Sequence, residues 1–557
     1  MNQPTPAIVT QSAVRRLPRA ALLLFCLAYV IPGFVGREPW KNADITGLGY
    51  MLELALGQSS WLSPTLLGQP PEFDALLPYW LGSWAMMAAP AWVAIDFAAR
   101  IPFVLLLALT LAGTWYGVYY LARTPKAQPV PFAFGGEADP IDYARAMADG
   151  GLLALIACLG LAQLSHETTP ALAQLAFTTL SFFALAALPH NPATAAVALL
   201  AGLTGLTLSG APAMAALFAT GGLAIELADR AAPGRWRSAA IVAAALATAL
   251  ALATLLSLWH WRIGQPGTLR EWKPLGRLIL WFTWPAWPLA IWTLWRWRRQ
   301  LGSRHVALPL WFTVVALGTT LATPSSDRSL LLGLPALATL AAFALPTLGR
   351  SVAALIDWFT LLFFSGCALV IWVVWIAMQT GVPARPAANV ARLAPGFEPS
   401  FNALAFLAAL AATIAWAWLV RWRTGRHRQV IWKSLVLPAG GAALCWLLLM
   451  TLWLPALDFA RGYKAMAQSV MRHMDKPGCV EVFGLTRAQI SAMRYHGHFK
   501  LQSASRSPGC PWLLVAQDLE PALPQALGLA GLHLIATVPR PTDTKENLLL
   551  YRRNLAQ

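Results

Sequence analysis

The chain has 557 residues, 57% of them hydrophobic and only 12% charged, with a mean hydropathy of +0.56. Soluble proteins carry roughly 25% charged residues, so a soluble globular fold is excluded and an all-α polytopic membrane protein is expected. The net charge of +17 does not indicate nucleic acid, because the basic residues fall in short clusters between apolar runs, a pattern that orients helices in a bilayer.

In chain order, thirteen apolar runs are long enough to span as helices: 18–36, 98–122, 150–165, 170–189, 192–208, 211–228, 238–260, 277–296, 305–322, 329–347, 353–378, 401–421 and 434–455. The first is long and is followed by many more, so it reads as a retained helix and not a cleaved signal. A cytoplasmic N-terminus puts every basic cluster inside: Arg15, Arg16 and Arg19; Arg230, Arg235 and Arg237; Arg296, Arg298, Arg299 and Arg304; Arg421, Arg423, Arg426, Arg428 and Lys433. Outside then lie 37–97, HETTP (166–170), 261–276, PSSDRS (324–329), 379–400 and everything after 455. Glu226, near the inner end of its run, is expected to reach the interface beside Arg230.

The first outer loop predicts two helices. One runs from Asp44 to Leu56 with Ile45, Leu48, Leu52 and Leu56 in a narrow apolar stripe, suited to lying in the membrane interface. Asp44 is placed to cap it. The other, Ala75 to Trp92, carries Tyr79, Trp80, Trp84 and Trp92, which read as anchors at headgroup level. The segment 123–148 is Pro- and Gly-rich and reads as a linker with a short helix, Ile141–Met147.

The tail changes character. VEVFGL (480–485), PWLLVAQ (511–517) and LHLIATV (532–538) predict strands, with helices at Arg487–Met493 and Leu519–Leu527, so a small α/β domain over 456–557 follows a membrane domain over 1–455. His496 and His498 in RYHGHF are two apart, on one face of a strand, without a third ligand nearby. No Gly-rich phosphate loop, CxxC pair or HExxH motif occurs, so neither metal nor organic cofactor is expected. Cys479 and Cys510 would form a disulfide if the tail is outside the cytoplasm and remain thiols if it is inside.

The spacing of several short motifs adds to this. Asp44 precedes Trp61 by seventeen residues, and Trp61 precedes Trp80 by nineteen. WLSPTLLGQP (61–70) and PYWLGSW (78–84) lie within that interval or at its end, and FAARIP (97–102) opens the second span. LTLSGAPAM (206–214) and TPSSDRSLLLGLPALA (323–338) follow. In this order, with a long outer loop and a C-terminal outer domain, the chain resembles the GT-C membrane glycosyltransferases. The closer likeness is to the branch holding the lipid A aminoarabinose transferase and the protein O-mannosyltransferases.

That resemblance implies transfer of a sugar from a polyprenyl phosphate or pyrophosphate to an acceptor at the outer leaflet. It implies that Asp44 takes the acceptor's proton or holds the acceptor, with Glu167, in the turn after the third span, as second acid beside His166. Asp74 stands where the family has a lysine, Gly210 replaces another, and Ile45 replaces an acid next to Asp44. Other cations must then meet the phosphate: Arg100 and Arg328 foremost, or Arg262, Arg270, Lys273, Arg277, Arg385 and Arg392, with Tyr79 and Asp74 among the substrate contacts. The plainer readings are a snorkelling helix-end anchor for Arg100, a local pair with Asp327 for Arg328, and a solvated loop for HETTP. The implied partners are a polyprenyl-phosphate sugar lipid, an envelope acceptor (lipid A, glycan or protein) and membrane lipids. The implied location is a bacterial inner membrane, with the N-terminus cytoplasmic and the C-terminus periplasmic. A catalytically inactive scaffold of the same fold and a lipid-linked sugar flippase are the other readings.

Overall fold

A computed structural model describes residues 5–72, 74–230, 234–259, 269–323, 326–424, 430–474, 478–506, 509–527 and 531–553. Two compact units divide the chain: one comprises Met1–Val35, Phe103–Leu369 and Phe406–Leu449, the other Gly36–Pro102, Val370–Ala405 and Met450–Gln557.

Among the described residues, seven helices are long and apolar enough to cross a membrane: Ile95–Ala122, Pro170–Ala187, Arg235–Leu255, Arg304–Ala322, Arg350–Thr380, Ala403–Arg423 and Lys433–Leu452. Arg19–Gly33, Pro192–Leu208, Pro212–Ala228 and Leu334–Thr347 are shorter apolar helices. The expected span 277–296 is broken into Leu269–Phe282 and Ala286–Arg296, because Pro285 at the junction has no N–H to continue the ladder. The expected span 329–347 is divided into Ser326–Leu331 and Leu334–Ala344. The third begins earlier than its apolar run, as Pro140–Ala157, since Asp139 caps it by accepting N–H bonds from Ile141 at 2.9 Å and Asp142 at 3.2 Å. The segment expected to be a linker is therefore packed: Val130 and Ala138 donate backbone N–H bonds to Ala7 and Val9, and Arg16 pairs with Asp142 at 2.6 Å. Glu226 does not reach out to Arg230. It is buried and pairs with Arg304, because a carboxylate sealed in this packing needs a cation inside it.

In the second unit, helix Ala43–Ala55 is packed on more than the single apolar stripe that the sequence suggested. Asp44, Ile45, Gly47, Leu48, Gly49, Tyr50, Met51, Glu53 and Leu54 are all buried, between helix Leu77–Ala88 and helix Arg487–Gly497 of the tail. The stripe of Ile45 and Leu48 is only one of its contact surfaces; the contact with the tail helix runs through Gly49 and Glu53, which a search for apolar periodicity passes over. A Cβ on Gly49 would lie 2.0 Å from Ser491 Oγ, so only glycine lets the tail helix come this close. Trp84 and Trp92, by contrast, are exposed, as headgroup anchors would be.

The tail forms a five-stranded sheet ordered β2-β1-β3-β5-β4. Strand β1 (Cys479–Phe483) pairs in parallel with β2 (Lys500–Ser503) and β3 (Trp512–Ala516). Strand β5 (Asp543–Arg553) runs antiparallel to β3 and to β4 (Leu532–Arg540). Three of these strands match the sequence expectation. β2 is short and largely polar, and β5 begins in the polar run DTKEN, so neither carries the apolar signature. Leu513, Val515, Leu523, Leu549 and Tyr551 form the core of the domain. Cys479 and Cys510 are joined as a disulfide.

Candidate active site

Asp44 sits in the first turn of helix Ala43–Ala55, two residues after the capping position, which Asn42 occupies. Its carboxylate turns back instead of capping: Oδ2 accepts the Trp40 N–H at 3.1 Å and meets Arg37 Nη2 at 2.9 Å. Both charged side chains are 1% exposed. The Arg37 guanidinium also lies 4.6 Å from the centre of the Trp40 ring, as does that of Arg461. Trp40 is fixed in turn by its Nε1–H, which donates to Asp458 Oδ1 at 2.8 Å. Burial pushes the Asp458 carboxyl up to about 7, against the opposing effect of that hydrogen bond. A charge shut away from water is tolerated only when paired and hydrogen-bonded, and Asp44 has both.

Arg37 faces a hollow of about 530 Å³ in this unit, whose charged lining is Arg37, Glu38, Asp96, Arg100 and Lys464. Arg100 pairs with Asp96 at 3.1 Å one helical turn away and lies within the electrostatic field of Arg37 and Asp44. Lys464 meets Glu38 at 2.7 Å, and that hydrogen bond raises its pKa. The tail contributes Tyr495, His496 and His498 to the same wall. Burial and the neighbouring Asp96, to which its hydroxyl is bonded, push the Tyr495 phenol up. Burial holds the His496 imidazole below its ordinary pKa, hence neutral, and its Nε2 is buried without a hydrogen-bond partner among the described residues. These histidines do not share a strand face, as RYHGHF suggested; they lie at the end of helix Arg487–Gly497, where His498 takes the left-handed turn that stops it.

Tyr495 and His498 also line an adjoining hollow of about 600 Å³, with Glu53 and Arg494 on its wall. Glu53 pairs with Arg494, and burial raises its pKa despite that partner. Tyr79 is a core residue, its ring 5.3 Å from that of Tyr50, while Asp74 is half-buried in the preceding loop.

Among the remaining expected residues, His166, Glu167 and Arg328 belong to the first unit. The HETTP turn is buried and not solvated: His166 is fully enclosed and Glu167 is 7% exposed. The Glu167 carboxylate accepts from Gln163 Nε2 at 3.1 Å. His166 Nε2 faces the Tyr29 carbonyl at 3.1 Å, and its ring packs on Phe34 and Trp446. Gly33 is required here, because a Cβ would fall 2.2 Å from the imidazole. Arg328 is on the short helix Ser326–Leu331, which packs on the helices either side of that turn. The Asp327 carboxylate accepts the Arg328 backbone N–H at 2.9 Å. Lys273, Arg277, Arg385 and Arg392 are exposed, and Arg262 and the Arg270 side chain lie outside the described residues.

Sequence reasoning did not select Arg37, Glu38, Lys464, Tyr495, Glu53 or Asp458. The available signal was local for two of them: Arg37 and Glu38 open the same REPW run that leads into Asp44. The others come from the tail or the far end of the helix and meet Asp44's surroundings only through packing.

No protein-family model matches the chain, and no curated protein matches it in sequence. Its fold, however, is shared with two crystal structures of ArnT from Cupriavidus metallidurans, one in the apo state and one bound to undecaprenyl phosphate. The TM-scores are 0.63 and 0.64, at 14% sequence identity, and each match covers 96% of this chain and 98% of the other. The chain therefore has the GT-C fold of ArnT, with a small sheet domain at its C-terminus.

Proposed function

We propose that the protein is a membrane glycosyltransferase that takes a sugar from a polyprenyl-phosphate donor and passes it to an envelope acceptor on the periplasmic face of a bacterial inner membrane. The observation that carries this reading is the hollow beside Asp44, which Arg37, Arg100 and Lys464 line together with Tyr495 and His496. The GT-C fold and a structural neighbour bound to undecaprenyl phosphate support the same donor class. A disulfide in the tail agrees with an oxidising compartment.

Sugar transfer from a lipid phosphate leaves that phosphate with one more negative charge, and fixed cations in a site screened from water stabilise it as the charge develops. In this reading Arg37 and Arg100 receive the phosphate. Asp44 is a positioning residue: it holds the Arg37 guanidinium through the 2.9 Å pair and is itself held by the Trp40 N–H. A carboxylate engaged this way is a poor base. The neutral His496, a lining residue of the hollow, is better suited to accept the acceptor's proton. Glu167 and Arg328 serve as second-site groups toward acceptor and lipid.

Asp44→Asn keeps the shape and the Trp40 hydrogen bond while removing the charge that holds Arg37. Sugar transfer from a synthetic polyprenyl-phosphate sugar should fall about 10³-fold, with normal insertion and accumulation; unchanged transfer removes Asp44 from the mechanism. One observation favours a second reading, an inactive scaffold: each cation of the hollow already meets an acid of the same chain. That reading expects indifference to Asp44→Asn and His496→Gln alike, and no transfer by the purified protein.

A further inference from the structure

The first unit has a hollow of its own, about 780 Å³, where helices Arg350–Thr380, Ala403–Thr424 and Lys433–Leu452 meet residues 8–13. Three cations line it, Arg350, Arg423 and Lys433, against one carboxylate, Asp357. Arg423 occupies both oxygens of that carboxylate, Nε donating to Oδ1 at 3.1 Å and Nη2 to Oδ2. Lys433 is only 6% exposed, and its Nζ lies 5.6 Å from the Trp422 ring. Among the described residues it has no carboxylate of its own. An enclosed cation in that position is costly. Arg350 and Lys433 also each begin a helix, where the partial positive charge of the backbone disfavours another cation. One anion in the hollow would relieve both costs.

Apart from Thr10 and Ser434, the rest of the lining is apolar, with Leu345, Ala353, Trp358, Leu361 and Leu437. Trp358 is 65% exposed, and on the same helix Leu355 and Leu362 are 68% and 67% exposed, as side chains bathed in lipid would be. A hollow with a cationic floor that opens along a lipid-facing helix fits an anion carrying hydrocarbon. We infer that it binds the phosphate headgroup of an anionic membrane lipid, with Arg350, Lys433 and the neighbouring Ser434 at the phosphate and the hydrocarbon along Trp358 and Leu361. This site is independent of the proposed transfer reaction.

The test is native mass spectrometry of the full-length protein in detergent, with equal dioleoylphosphatidylglycerol and dioleoylphosphatidylcholine. The wild type should retain one phosphatidylglycerol with about tenfold preference. Lys433→Gln, which leaves the Arg423–Asp357 pair intact, should abolish that preference. Leu361→Trp, which fills the apolar part and leaves every charge, should abolish it as well. Farnesyl phosphate as competitor separates the sources: displacement identifies a polyprenyl monophosphate site, and failure to displace identifies a glycerolipid site. Equal retention of both lipids by the wild type, a preference kept in both variants, or displacement by inorganic phosphate alone would overturn the inference.

Discussion

Asp44 and Glu167 are both acids beside apolar runs, and both are buried, but the contacts described around them differ. Around Asp44 the polar groups are charges of both signs, arranged beside an open hollow: Arg37, Arg100 and Lys464 with their acids, and two histidines from the tail. Glu167 accepts from the Gln163 amide, and His166 beside it faces a backbone carbonyl and packs on Phe34 and Trp446. The first arrangement can exchange one ionic partner for another. A buried acid marks a reaction site when its counter-charge faces a space a ligand can enter, and burial alone does not say so.

The comparison is broken most directly by the two acids themselves. Asp44→Asn should cost about 10³-fold in transfer. Next come substitutions that test whether the tail builds the Asp44 wall. Arg494→Leu leaves Glu53 buried without its guanidinium and should lower stability by about 3 kcal/mol, read by thermal melting in detergent. The loss should shrink at acid pH, as Glu53, already raised by burial, takes up a proton. Gly49→Ala should cost about 2 kcal/mol, because Ser491 must retreat, and should reduce transfer through the displaced Tyr495 and His496. Glu167→Gln keeps the hydrogen bond to Gln163 and should slow transfer only about tenfold; a loss matching that of Asp44→Asn would erase the distinction drawn between the two acids.

A last, smaller effect concerns pH. Asp458 holds its proton up to about pH 7 in the folded chain, whereas unfolded it would release it near about 4. Its folded pKa is raised, so its contribution is full below about pH 4 and is lost as pH rises through 7. Asp458→Asn can keep the bond from Trp40 and should flatten that part of the stability profile; an unchanged slope would mean another group causes it.

The fold was largely readable because long apolar runs report spanning helices whatever their tertiary partners. The failures have a common physical origin. Helix Ala43–Ala55 was read as a single apolar stripe because its contact with the tail helix runs through Gly49 and Glu53, which carry no apolar side chain to count. RYHGHF looked like a strand because the alternation of its histidines was visible, whereas the expected helix Arg487–Met493, started by the capping box of Thr486 and Gln489, runs on to Gly497. Spacing brought Asp44 and Arg100 forward as candidates, but Lys464, Tyr495 and His496 are some four hundred residues further along, and only the docking of the tail helix brings them to the same wall.

The central claim is that the hollow beside Asp44 receives the donor's phosphate. A structure of the full chain with a polyprenyl phosphate bound tests it directly. The account predicts the phosphate within hydrogen-bond distance of Arg37 or Arg100, with the Arg37–Asp44 pair retained behind it. A phosphate bound only at Arg328, with the Asp44 hollow left empty, would contradict it.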